Sequence, residues 1–286
     1  MRLATRTGKT SRNTCWLRDV DLIIEIGDSG YTEKGNLMNL LTRGNPKTIK
    51  GEAKGFLTFI LHLAPTDLSG YNTCPKATEG CKKACLNTAG RGGMFKPGGT
   101  NAIQEARKRK TRFFFENREA FMEELGKDII KAINYSRKKN LTPVFRLNGT
   151  SDLSWEKYEL PIRTKEGLKI IYENVFDAFP NVQFYDYTKV LGRKVDAIRN
   201  YHLTFSHAES NGGDVMSALH QNMNVAVVFN VKKKDALPKE WRGIEVVDGD
   251  ESDLRFLDPK GKIIGLKAKG KAKKDETGFV IKLKAA

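Results

Sequence analysis

Apolar residues fall in short, separated runs along this chain. Phe56–Ala64, Thr142–Leu147, Val182–Tyr187, Tyr201–Ser206, Asn224–Phe229 and Gly243–Val247 each have strand length and are rich in Val, Phe and Ile. Such continuous runs are expected of parallel strands buried on both faces. Between them the apolar spacing lengthens to that of a helix. Residues 101–139 carry Phe121, Leu125, Ile129, Ile130 and Ile133 at helical spacing, with a break expected near Asn117. Further helices are expected at about 165–178, 191–199 and 211–221. Six strands alternating with helices imply repeated βα units and a parallel sheet. Periodicity does not separate an open, TIM-like partial barrel of six βα units from a doubly wound sheet, and the partial barrel is the expectation taken forward.

The ends of the chain read differently. Residues 1–15 are a basic arm, followed by short strands, including Asp21–Ile26, and a turn at 44–46. After 253 the stretch RFLDPKGKIIGLKAKG is expected to form a basic β-hairpin turning at Pro259-Lys260-Gly261, and GFVIKL at 278–283 an edge strand. The division is then 1–50 for the arm and a small β region, 51–253 for the core with a long loop at 65–99, and 254–286 for the hairpin extension.

The 286 residues are 39% hydrophobic and 29% charged, which suits a folded chain and excludes a disordered or collagen-like one. No apolar run approaches the roughly 20 residues of a membrane span, and the basic N-terminus lacks a signal-peptide core. A cytosolic protein without membrane contact is expected. Lys plus Arg outnumber Asp plus Glu by 50 to 34, a formal charge of +16. The excess is clustered: Arg2, Arg6, Lys9, Arg12 and Arg18 without an acid; Arg107 to Arg112; nine lysines from 260 onward against Asp275 and Glu276. Clustered positive charge points to a nucleic-acid partner, DNA or RNA, through phosphate contacts that carry no sequence information.

Parallel α/β folds place their ligands at the carboxyl ends of strands. The loops in those positions hold Asn148-Gly149-Thr150-Ser151-Asp152, Asp186 with Thr188-Lys189, Ser206-His207-Ala208-Glu209, and Asp248-Gly249-Asp250-Glu251-Ser252-Asp253. The loop after the first strand holds Cys74, Cys81 and Cys85, spaced C-x6-C-x3-C in a hydrophilic segment. In a cytosolic chain such a trio indicates a metal or catalytic site rather than a disulfide framework. Three thiolates leave a four-coordinate zinc one ligand short, to be met by a His or Asp. They also suit a [4Fe–4S] cluster with one iron left open. Lys82, Lys83 and Arg91 would offset the thiolate charge.

This order of motifs resembles the radical S-adenosylmethionine (SAM) enzymes, in which a three-Cys loop follows the first strand of a partial (β/α)6 barrel. The resemblance implies that Cys74, Cys81 and Cys85 ligate an iron–sulfur cluster. It implies that Asn148, Gly149, Asp152 and Ser206 bind SAM, and that Asp186, Lys189, His207 and Asp248 line a substrate cavity and act in catalysis. The cysteine spacing is wider than the usual C-x3-C-x2-C, and NGTSD stands where Gly-Gly-Glu is usual. Over most of its length the chain is also similar to an uncharacterised family of tailed-bacteriophage proteins. That likeness is carried by LTFILHLAP (57–65), CPKATEGCKKACLNTAGR (74–91), RLNGTSD (146–152), FYDYTK (184–189), NYHLTFS (200–206), VVDGD (246–250) and LRFLDPKGKIIGLKAKG (254–270). It implies a phage protein in the host cytoplasm.

P-loop, dinucleotide-binding and H-E-x-x-H patterns are absent. Two alternatives to an iron–sulfur enzyme acting on or near nucleic acid or a nucleotide remain open. One is a non-catalytic DNA-binding protein with a structural zinc loop. The other is a Mg2+-dependent nuclease using Asp152, Asp186, Asp248 and Asp250.

Overall fold

The computed structural model describes residues 39–43, 48–95, 99, 101–164 and 167–283. The basic arm, the Asp21–Ile26 strand and the 44–46 turn lie outside the described residues. The strands are β1 (Leu41–Arg43), β2 (Phe56–Leu61), β3 (Thr142–Arg146), β4 (Leu160–Arg163), β5 (Lys169–Tyr172), β6 (Gln183–Thr188), β7 (Tyr201–Ser206), β8 (Val225–Phe229), β9 (Glu240–Trp241), β10 (Ile244–Asp248), β11 (Ile263–Lys267) and β12 (Val280–Ile281). The α-helices are α1 (Ile49–Glu52), α2 (Glu79–Lys83), α3 (Ala102–Glu116), α4 (Arg118–Lys138), α5 (Val175–Ala178) and α6 (Gly212–His220).

Ten strands form one mixed sheet in the order β1-β2-β3-β6-β7-β8-β11-β10-β9, with β12 beside β8. Every pairing from β2 through to β10 is parallel, and only the outer strands β1 and β9 run antiparallel. Among the described residues the sheet stays open and does not close into a barrel. From β2 to β8 the spatial order follows the chain order. One face of this run is covered by helices. Leu57, Phe59 and Leu61 of β2, Phe145 of β3, Phe184 of β6 and Leu203 of β7 pack there with the apolar stripe of α4 and with Val175 and Phe176 of α5. Phe59, Phe145 and Phe184 stack across three strands at 5.5 and 5.4 Å between ring centroids. On the same side Phe205, Val225, Val227, Phe229 and Ile263 pack with Val215 and Ala218 of α6. The opposite face is covered by the segment around Leu254 and Phe256, which meets Phe56, Val144 and Tyr185. No helix among the described residues is long and apolar enough to cross a membrane.

The expected break at Asn117 is present, with a residue that ends α3 and caps α4 by accepting the Ala120 N–H. Three expectations are corrected. Residues 165–178 are not one helix: β5 pairs antiparallel with β4, and α5 follows after the Asn174 cap. Gly167, at φ +84°, turns the chain between the two strands. Residues 191–199 form turns, with Gly192 at φ +72° interrupting any helix. The C-terminal hairpin does not form. Arg255–Leu257 is a 3-10 turn, and β11 lies parallel between β8 and β10. Gly265 makes this insertion possible, since a Cβ there would stand 2.6 Å from Val246 Cγ1.

One buried carboxylate ties three central strands together. Asp186 of β6 accepts the Asn148 N–H at 2.8 Å and the Tyr201 hydroxyl at 3.1 Å. Burial is the largest influence on it and raises its pKa from 3.8 to about 7. The folded state therefore holds a proton that the unfolded state has released between about pH 4 and pH 7, and stability falls as pH rises through that window. We expect Asp186→Asn to remove this contribution. The stability difference between wild type and variant should change by about 1.4 kcal/mol per pH unit inside the window. Urea unfolding of both proteins at several pH values checks this; a difference flat from pH 4 to 7 would contradict it.

Candidate metal centre

The cysteine loop is polar and is held by contacts with its surroundings. At its start Thr73 is completely buried. Its hydroxyl donates to the Ala64 carbonyl at 2.7 Å, its N–H to the Thr66 carbonyl at 3.0 Å, and its own carbonyl accepts the Asp152 N–H at 2.8 Å. These bonds set Cys74 at the carboxyl end of β2, with its Sγ 3.8 Å from the Thr150 carbonyl oxygen. The short helix α2 carries Cys81. Its cap, Thr78, accepts the Cys81 N–H at 3.2 Å and donates to Glu209 Oε2 at 2.7 Å, while the Gly80 N–H donates to Glu209 Oε1 at 2.7 Å. Gly80 has no room for a side chain: a Cβ would lie 2.1 Å from Thr277 Oγ1 and 2.7 Å from Phe279 Cβ. Cys85 follows α2. Behind it Asn87 is buried, donating to Gln104 Oε1 at 2.8 Å and accepting Arg107 Nη1 at 2.5 Å, both from α3.

All three cysteines are free thiols, each partly buried. Burial is the largest effect on Cys85 and pushes it up to about 11; negative charge at Cys81 and Cys74 adds to this, while Lys189 works against it. Cys74 is likewise raised, first by burial and further by Asp152 and Cys81. The three sulfurs therefore lie within one another's electrostatic reach, with Asp152 acting on Cys74 and Lys189 on Cys85. Asp152 Oδ2 accepts the Lys189 N–H at 2.7 Å, whereas Oδ1 is buried without a partner. A bound cation ionises thiols in such a place by offsetting their charge. Three soft sulfur donors suit zinc or iron–sulfur ligation. Among the described residues no three His, Cys, Asp or Glu side chains are grouped so as to hold a single ion.

The other residues singled out by sequence have varied surroundings. Asn148 Oδ1 accepts the Ser151 hydroxyl at 2.9 Å, the Leu153 N–H at 2.9 Å and Trp155 Nε1 at 3.1 Å, and its Nδ2 donates to the Leu153 carbonyl. Its polar atoms are thus spent on folding the turn that presents Asp152. Gly149 seats that turn on β2, where a Cβ would stand 2.7 Å from the Leu61 carbonyl oxygen. Ser206 ends β7, partly exposed, its carbonyl accepting Asn211 Nδ2. His207 is buried edge-on to Trp241 with Nδ1 unpartnered; burial chiefly, then Arg242 and Lys189, lowers it to about 4. Lys189 Nζ stands 5.8 Å from the centre of the Phe279 ring, and His207 bonds the Phe279 backbone. Lys189, His207, Asp152 and the cysteines thus share one neighbourhood. Asp186 lies inside the sheet with both oxygens engaged. Asp248 is exposed at the end of β10, four strand positions from β6, or roughly 19 Å at usual strand spacing.

Sequence reasoning missed the supports: Thr78, Gly80, Asn87, Gln104, Arg107 and the Thr277–Phe279 segment. The Asn101 cap before α3 was the available signal for Gln104 and Arg107 facing the loop; nothing local marked Thr277. A second polar cluster was also missed. On the face opposite the helices, Arg146 pairs with Asp253 at 2.7 Å, and Tyr187 Oη, His202 Nε2 and Thr204 Oγ1 are buried without protein partners among the described residues. Ordered water or ligand usually meets such atoms.

Residues 39–283 match the family model described as gene product 88. The chain belongs to the gene product 88 family. This agrees with the tailed-phage resemblance of its sequence, and the family description states no activity. No curated protein and no solved structure matches the chain.

The close approach at Gly80 makes a direct test of how the loop is held. Gly80→Ala must displace the Thr277–Phe279 segment, at about 1–3 kcal/mol for overpacking. Trypsin should then cleave after Lys273, Lys274 and Lys282 faster than in wild type, and Cys81 should alkylate faster in the metal-free protein. Unchanged cleavage and alkylation would show that the C-terminal segment does not clamp the loop.

Proposed function

We propose that this gene product 88 chain is a phage iron–sulfur enzyme of radical-SAM type acting on or near nucleic acid or a nucleotide. The observation that carries the reading is the placing of Cys74, Cys81 and Cys85 on one loop that follows the carboxyl end of β2, the first parallel strand, within electrostatic reach of one another. The winding supports it: β2-β3-β6-β7-β8 are parallel and consecutive with helices on one face, as in a partial (β/α) barrel left open. The three cysteines would hold the cluster. A cluster held this way would have one iron without a cysteine ligand to bind SAM and, once reduced by an external electron donor, would supply the electron for its cleavage. The free, buried Oδ1 of Asp152 is the group best placed to receive a hydrogen bond from SAM, since Asn148 and Gly149 are occupied in shaping the turn. Lys189 and His207 border the same space and would position the substrate. The charge of +16 supports a polyanionic substrate or partner.

The same Asp152 oxygen also favours a second reading. It can complete three thiolates as the fourth ligand of a structural zinc, in a DNA-binding protein without catalysis. The two readings differ in colour, in metal and in what Asp152 does.

Purification without oxygen, metal analysis and an absorption spectrum decide between them. The iron–sulfur reading expects a brown protein whose reduced electron paramagnetic resonance spectrum changes when SAM is added. Cys74→Ser, Cys81→Ser and Cys85→Ser should each abolish metal content, and Cys15→Ser should not, because a site lacking one ligand loses most of its affinity. Asp152→Asn should keep the iron and weaken SAM binding roughly ten- to a hundredfold, the loss of one charged hydrogen bond. A colourless zinc protein that loses its zinc with Asp152→Asn would establish the second reading. Full metal content in any two of the three cysteine variants would overturn both.

A further inference from the structure

Beyond the cysteine loop, the carboxyl edge of the sheet holds two cavities. The larger, about 600 Å³, opens where β8, β11 and β10 end, and is lined by Lys50, Lys232, Lys233, Lys267, Lys269 and Lys273 together with Asp248, Asp250 and Glu251. The smaller, about 380 Å³, is lined by Lys83, Lys271 and Lys274 with Asp275 and Glu276. The 3-10 turn Gly270–Lys274 stands between them, presenting Lys273 to one side and Lys271 and Lys274 to the other.

The acids of both cavities are already engaged. Asp250 pairs with Lys269 at 2.7 Å and accepts the Lys267 N–H at 3.0 Å. Glu251 pairs with Lys54 at 3.3 Å, and Asp248 accepts the Asp250 N–H at 2.7 Å. Asp275 accepts the Thr277 hydroxyl at 2.7 Å and the Val280 N–H at 3.0 Å, while Glu276 pairs with Lys282. Some lysines are engaged as well: Lys267 Nζ donates to the Asp235 carbonyl at 2.7 Å and Lys50 Nζ to the Asp250 carbonyl at 3.0 Å. Among the described residues this leaves Lys232, Lys233 and Lys273 in one cavity, and Lys83, Lys271 and Lys274 in the other, without an anionic partner. All six are exposed. Each side of the turn thus presents three lysines without an ion-pair partner among the described residues.

We propose that a single-stranded nucleic acid runs along this edge and crosses the 270–274 turn, with backbone phosphates in both cavities. A single nucleotide would need only one of the two lysine sets. A stiff duplex presents its phosphates on a convex cylinder and cannot seat them in two concave cavities parted by a turn. A single strand bends to follow a positive groove. Lys83 lies between Cys81 and Cys85 in the chain, so the path leads to the loop of the metal centre. It rests on the nucleic-acid part of the reading above, and not on which metal the cysteines hold.

The test is fluorescence anisotropy on the full chain purified without oxygen, over a series of salt concentrations. The probes are a labelled single-stranded DNA oligonucleotide, the same sequence as a duplex, and ATP as competitor. Metal content is measured in the same samples. The single strand should bind more tightly than the duplex. At about 0.7 per phosphate on a single strand, Lys232→Ala/Lys233→Ala/Lys273→Ala should lower the log–log salt slope by about 2. Lys83→Ala/Lys271→Ala/Lys274→Ala should lower it by a similar amount. Lys138→Ala/Lys139→Ala, exposed at the end of α4 where the chain enters the amino end of β3, should leave it unchanged. The path is overturned if wild type fails to bind the single strand at low salt, or if the duplex binds as tightly. It is overturned equally if only one triple variant changes the slope, or if ATP displaces the strand fully at one site. Slopes as expected in a protein without metal would sink the cluster and leave the path; bound metal with unmoved slopes would do the reverse.

Discussion

The cysteine loop cannot bury itself. Residues 65–99 are dominated by Gly, Asn, Lys, Thr and Pro, and such a segment lacks the apolar area to offset the entropy of ordering it. Its geometry is therefore borrowed. Thr73 ties it to the end of β2 and to Asp152, Asn87 ties it to Gln104 and Arg107 of α3, and Glu209 takes two donors at the start of α2. The approach at Gly80 then requires the chain to return after β11, so that Thr277 and Phe279 can close over α2. The insertion of β11 into the sheet and the placement of β12 on β8 serve that return. The loop that carries the three thiols keeps its course because elements from distant parts of the chain meet first.

The parts of this fold that were legible in the sequence are those set by burial on both faces. β2, β3, β6, β7 and β8 appear as strand-length runs rich in Val, Phe and Ile, and Asn117 announced the junction of α3 and α4. The β4–β5 pair was not legible because two four-residue strands around a glycine turn carry too few apolar positions to distinguish a period of two from a helical one. β11 was misjudged because its lysine-rich flanks resemble an exposed hairpin; the absent side chain of Gly265 is what lets it sit between β8 and β10. Asp186 shows a different limit. Its alternation with Phe184 places it on the helix-covered face, yet only the structure shows Asn148 and Tyr201 supplying both of its hydrogen bonds. Asn148 was legible as a polar residue at a strand end, and its inward direction was not.

Polarity in this molecule collects at one edge because the two faces of the sheet are taken. Helices cover one face, and the segment around Leu254 and Phe256 covers the other, enclosing the Arg146–Asp253 pair. A buried pair of this kind is costly to break, since either partner alone is an uncompensated charge. What remains exposed at the carboxyl edge is the cysteine loop, with one lysine cavity bordering it at Lys83 and the other across the 270–274 turn. Ionised by a bound cation, the thiols would carry negative charge, which Lys189 offsets at Cys85. In the proposed reading the loop takes a cationic centre and the cavities beside it take phosphates.

X-ray absorption at the edge of the bound metal, in protein purified without oxygen, tests the central claim that the three cysteines hold one centre. The account predicts a first shell dominated by sulfur near 2.3 Å, the usual metal–thiolate distance, and lost in Cys85→Ser. A shell of nitrogen and oxygen alone, or a sulfur shell unchanged in that variant, would contradict it.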